Sequence, residues 1–264
     1  MKSKRAILKN LLVFHRAGWM ILGGVLASLT SIVAFGGIVG SVSKTLSGAQ
    51  SSDDASGRVL PPTARPNGYS LSAIAKATAY FNTSDRTGIP PDAPCLVEEC
   101  APLQILFVPA NGATQNTFSV SPGTIFYVPV LLDDDSPPII GSCPISATTC
   151  ADFPNVGDRE ALLDYMYSRK EFGLRYSEIV VDGKVHELGS DYLVEVRAPV
   201  PPGLADGSGT QYITSAAFVA PLKEGTHTIE IRANANGQDV VEVFTALGLA
   251  VPFPFTITYT VIVR

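Results

Sequence analysis

Three consecutive carboxylates, Asp133-Asp134-Asp135, followed by Ser136, form the densest polar cluster in the chain. Hard cations such as calcium take several oxygen ligands, and carboxylates at alternate positions of a loop can converge on one ion. Asp133 and Asp135 are therefore the candidate calcium ligands, although their spacing is not that of an EF-hand; a solvated acidic loop is the competing account. Four cysteines come next: Cys95, Cys100, Cys143 and Cys150. Gaps of four and six residues are wrong for a pair of CxxC zinc knuckles, whereas an even count would read as two disulfides were the chain exported. Three pairings are open, and the short loops favour Cys95 with Cys100 and Cys143 with Cys150.

Catalytic chemistry finds little else to use. GxSxG, HExxH, CxxC, P-loop and GxGxxG patterns are all absent. His227 alternates with Ile229 and Ile231, as expected of a packed histidine at a strand start, and His186 follows an Asp-Gly turn. Two carboxylates at a suitable separation would suffice for glycoside hydrolysis, but nothing in the sequence selects a pair. The one tryptophan, Trp19, borders an apolar stretch and suits an interfacial anchor better than a sugar platform. No catalytic residue and no resident cofactor are expected.

The stretch beside Trp19 is the strongest single feature. Residues 17 to 43 carry no charge, and residues 1 to 16 carry Lys2, Lys4, Arg5, Lys9 and Arg16 without an acid. As a helix, 27 residues would reach roughly 40 Å, against about 30 Å of bilayer hydrocarbon. Basic flanks stay cytoplasmic, so the expectation is a single-pass anchor, N-terminus inside and the remainder periplasmic or extracellular. The length favours an uncleaved anchor over a removed signal peptide, for which Ser41-Val42-Ser43 or Ser47-Gly48-Ala49 would be the cutting site. Gly23, Ala27, Thr30, Ser31 and Ala34 fall on one stripe of that helix, and Gly36 and Gly40 add a GxxxG spacing. Small residues let a second membrane helix approach closely.

Residue 53 onward holds 13 basic and 24 acidic side chains, a balance of −11 within a whole-chain charge of −5. That sign argues against a nucleic-acid partner. Residues 44 to 68 are rich in Ser, Gly, Pro and Ala and read as a linker; residues 69 to 264 read as one folded domain. Within it, Leu71, Ile74, Ala75, Thr78 and Phe81 recur at helical spacing behind Ser70, a fitting N-cap. Asn82-Thr83-Ser84 is a formal glycosylation acceptor. Asp158 opens a second helix that runs toward Phe172.

The remainder alternates with period two. Strands are expected at 104–108, 117–120, 124–132, 174–181, 184–188, 192–197, 211–219, 226–233 and 255–264. The third is apolar on both faces and should be central, with Pro129 marking a bulge or an end. Asp182-Gly183 is a hairpin turn. The expected fold is mainly β: an antiparallel β-sandwich with one or two short helices, outside a single N-terminal membrane helix.

Ser121-Pro122-Gly123-Thr124 with Phe126, Val128 and Pro129, then Val181-Asp182-Gly183-Lys184, then Pro221-Leu222 with Gly225-Thr226-His227-Thr228-Ile229, and lastly Tyr259-Thr260, resemble a group of uncharacterised exported bacterial β-sandwich proteins. The resemblance spans residues 104 to 264 and implies an extracytoplasmic sandwich, with no activity to carry over. The functional expectation is a non-catalytic accessory subunit that packs against other membrane proteins. A surface module for carbohydrate or calcium is the alternative, and an extracytoplasmic hydrolase comes last.

Overall fold

The computed structural model describes residues 56–83, 103–106, 116–135, 153–200, 209–246, 250–251 and 253–264. The apolar stretch at 17–43 with its small-residue stripe, and all four cysteines, lie outside the described residues. Among the described residues no helix is long and apolar enough to cross a membrane.

The chain is mainly β, with two sheets and few helices. One sheet takes β1 (Leu103–Ile105), β3 (Ile125–Asp134), β7 (Gly209–Val219) and β6 (Leu193–Val200), in the order β1-β3-β7-β6. The other takes β2 (Thr117–Val120), β9 (Phe255–Val263), β8 (Gly225–Ala235), β4 (Leu174–Val181) and β5 (Lys184–Glu187), in the order β2-β9-β8-β4-β5. Side chains from both sheets meet in one core: Phe126, Val128 and Val219 from the first, Ile229, Ile231, Tyr259 and Val261 from the second. This arrangement is consistent with a β-sandwich.

The sheets are mixed, which corrects the expectation of purely antiparallel pairing. β1 runs parallel to β3, and β2 parallel to β9. The reason is connectivity. The chain leaves the four-stranded sheet after β1, runs back in the other as β2, and returns as β3, so neighbours within a sheet point the same way. Side-chain alternation has period two in either direction and carries no trace of this.

The alternation itself is realised. In β9, Tyr259, Val261 and Val263 are buried while Thr256 and Thr258 are exposed; in β8, Ile229, Ile231, Ala233 and Ala235 are buried. Pro129 sits where the β3–β7 register shifts. It has no N–H for the ladder, and close by the Thr214 hydroxyl donates to the Leu131 carbonyl at 2.7 Å. Ser177 and Ser215 place their hydroxyls 2.8 Å apart, a polar bridge between the sheets.

Helix α1 (Leu71–Thr83) covers the outer face of the four-stranded sheet. Its Ser70 cap accepts from the Ala73 amide at 3.1 Å. Leu71, Ile74, Ala75 and Ala79 pack on Tyr127, Val194, Val196 and Phe218. With core on one side and α1 on the other, β3 and β7 are buried on both faces. The five-stranded sheet keeps a wet outer face, where Arg232 reaches Glu178 at 3.8 Å and also contacts Glu230.

Helix α2 (Arg159–Tyr167) is capped by Asp158, which accepts from the Ala161 amide at 3.0 Å. It stops short of Phe172, which turns into the core instead. A third helix, α3 (Gln238–Ala246), has no counterpart in the sequence reading. Residues 57–60, assigned to the linker by composition, are packed on the body. Val59 is core, and a strap from Gly57 to Leu60 bonds to β7 and its sequel.

Candidate functional site

The acidic triplet ends β3, beside the start of β7. Asp133 pairs with Ile213 across the ladder, and Ile213 pairs in turn with Glu195 on β6. Directly opposed residues share a face, so Asp133 and Glu195 stand on the core side, roughly 10 Å apart at the backbone. Ile213, 1% exposed, fills the space between them.

Each acid has a structural partner. Tyr165 of α2 donates its hydroxyl to Asp133 Oδ2 at 2.6 Å, and the Asp134 amide donates to Asp133 Oδ1 at 3.0 Å. Asp135 Oδ1 accepts the backbone amides of Thr210 at 2.6 Å and Gln211 at 2.9 Å, while Oδ2 accepts the Thr210 hydroxyl at 3.2 Å. Glu195 Oε1 accepts the Gly157 amide at 3.2 Å, and Gln211 Oε1 accepts the Val156 amide at 3.0 Å. Strand, helix and the crossing loop at 153–158 are thus laced together by side-chain oxygens.

Burial raises the Asp133 carboxyl from 3.8 to about 8; the Tyr165 hydrogen bond opposes this, and the neighbouring Asp134 charge adds to it. Tyr165 is likewise pushed well up, first by burial and then by Asp133. Such shifts mark candidate acid–base groups. Here the groups face side chains and backbone, and Ile213 separates Asp133 from Glu195. Among the described residues, no three of His, Cys, Asp or Glu converge on a point that could hold a metal ion. The oxygens of Asp133 and Asp135, the expected calcium ligands, are engaged as above.

The histidines occupy the five-stranded sheet. His227 Nδ1 lies 2.7 Å from Asp182 Oδ2, and its Nε2 lies 2.9 Å from the Lys223 carbonyl. Asp182 Oδ1 also accepts the Thr228 amide at 2.8 Å. His227 therefore ties the Asp182-Gly183 turn to the β7–β8 connection, the packed role expected of it. His186 sits on the β5 edge, half-buried, and its pKa is lowered by burial first and then by Lys184. Sequence reasoning missed Tyr165, Glu195 and Gln211. Their partners lie 32, 38 and 55 residues away in the chain, and no local signal marks them.

The fold and this cluster define a mainly β protein in which Asp135 and Gln211 bond to the chain's own backbone. No family model, curated protein or solved structure matches the chain.

Proposed function

We propose that this chain is a non-catalytic, membrane-anchored extracytoplasmic protein, and that its two-sheet body acts as an accessory subunit beside other membrane proteins. One observation carries the reading: 27 uncharged residues at 17–43 directly behind five basic residues and no acid. Lys and Arg beside a span stay in the cytoplasm, so the body lies outside. The small-residue stripe from Gly23 to Ala34 supports a partner helix in the bilayer. The two prospective disulfides, and the resemblance that the turn motifs suggest, suit the same compartment. The commitment of Asp133, Asp135 and His227 to internal hydrogen bonds favours a structural role over turnover.

The experiment is alkaline carbonate washing of membranes followed by extraction in mild detergent. The chain stays with the membrane through the wash and co-purifies with other membrane proteins. Gly23→Leu and Ala27→Leu weaken that association while the melting temperature of the body stays put. Release by carbonate, or a lone monomer in detergent at every concentration, would overturn the proposal.

A further inference from the structure

The anchoring proposed above acquires a direction from the place where the chain joins the body. Strand registers divide the two-sheet body into two ends. β4 finishes at Val181 opposite Ile229, β9 finishes at Val263 opposite Gly225, β2 finishes at Val120 beside Val263, and β7 finishes at Val219 opposite Phe126. The turns at Ser121–Thr124, Asp182–Gly183 and Pro221–Glu224 therefore share one end. The acidic triplet, the Gly173–Gly237 crossing and α3 belong to the other.

The strap lies at the first of these ends. Gly57 donates to the Pro221 carbonyl at 3.2 Å, Leu60 donates to Phe218 at 2.8 Å, and the Ala220 amide donates to Arg58 at 2.9 Å. A Cβ on Gly57 would meet Leu222 of one sheet's exit at 2.9 Å and Val181 of the other sheet at 3.0 Å. The strap is thus wedged across the mouth of the sandwich.

Twelve residues, 44 to 55, separate the uncharged stretch from this point. A connection of that length reaches at most about 40 Å. β3, ten residues long, runs roughly 33 Å from the strap end to the acidic end. For the acidic end to meet the bilayer, the connecting residues would have to double back along the body at nearly full extension. Any shorter path leaves the strap end facing the membrane.

We infer that the strap end, with its turns at Ser121–Thr124, Asp182–Gly183 and Pro221–Glu224, is the surface that rests on the lipid headgroups, and that the acidic end with α3 points away. Its chemistry suits headgroups rather than acyl chains. Pro122, Gly123, Gly183, Lys184, Lys223 and Glu224 are exposed there, and both charge signs are present. Val185, exposed on the β5 edge nearby, adds one apolar side chain to that end. The exposed apolar residues Leu132 and Val241 lie at the opposite end, where they are turned toward water or a protein partner.

The inference rests on the anchoring reading, and the experiment separates the two. The full chain is reconstituted into phosphatidylcholine vesicles containing a lipid with a nitroxide on its headgroup. A fluorescent amino acid replaces Ser121 or Lys184 at the strap end, and Arg169 or Glu242 at the other. Strap-end probes are quenched several-fold more than the far-end probes. Equal quenching at both ends, or stronger quenching at Arg169 and Glu242, in protein that floats with the vesicles would overturn the orientation alone. Protein that fails to float would overturn the anchoring, and the orientation with it.

Discussion

At the scale of single residues, Asp133 has the clearest consequence. Its carboxyl is raised to about 8 in the folded protein, while in the unfolded chain it titrates near the ordinary aspartate value. From about pH 4 upward the unfolded chain has released a proton that the folded protein keeps. Stability from this group is thus complete below about pH 4, falls as pH rises, and levels off above about pH 8. Asp133→Asn removes the titration while keeping an oxygen for Tyr165. Urea midpoints measured from about pH 5 to about pH 9 decline for the wild type and flatten for the variant; parallel profiles would refute the assignment. Asp135, which accepts three hydrogen bonds from the start of β7, explains why an acidic triplet ends a strand: it stands in for missing backbone acceptors.

At the scale of elements, the backbone crossing of Gly173 and Gly237 decides how α3 is held. Gly173 has a φ of 68°, a region disfavoured for residues with a Cβ. A Cβ on Gly237 would land on the Glu171 carbonyl, and one on Gly173 would land on the Gly237 amide. This proximity lets the Gln238 and Asp239 amides reach the Arg169 and Lys170 carbonyls at 2.8 and 2.9 Å, which satisfies the first turn of α3. Gly237→Ala is expected to cost about 3 kcal/mol or more, since forced overpacking against backbone has no flexible side chain to absorb it. Gly189→Ala, with open space and a φ of −70° that any residue adopts, is the neutral control. Equal denaturation midpoints for the two would show that the crossing relaxes freely.

At the scale of the molecule, the strap makes residues before Tyr69 part of the fold. Val59 buries its side chain in the shared core, and Tyr192 donates its hydroxyl to the Leu60 carbonyl at 3.0 Å. A chain starting at Tyr69 loses that burial, about 2 kcal/mol, and several backbone hydrogen bonds at about 1 kcal/mol each. Such a chain is expected to be less stable than one starting at Ser56 by about 3 to 5 kcal/mol. Chemical denaturation of both proteins tests this, and matching stabilities would mean that the strap is only laid on the surface.

Much of the architecture was legible in the sequence because period-two burial is a local property. The alternation from Phe255 to Val263, the Asp182-Gly183 turn, the Pro129 bulge and the caps at Ser70 and Asp158 each depend on a few neighbouring residues. Helix α3 was not legible, since Val240, Val241 and Val243 suit a strand as well, and its first amides are satisfied by carbonyls nearly seventy residues earlier. Strand direction, the covering of one sheet by α1, and the partners of Asp133, Glu195 and Gln211 were likewise settled only in three dimensions. By itself the sequence determined where apolar surface had to be hidden, because each residue's polarity is its own. The tertiary structure decided what hides it, because contacts between distant segments depend on the path of the whole chain.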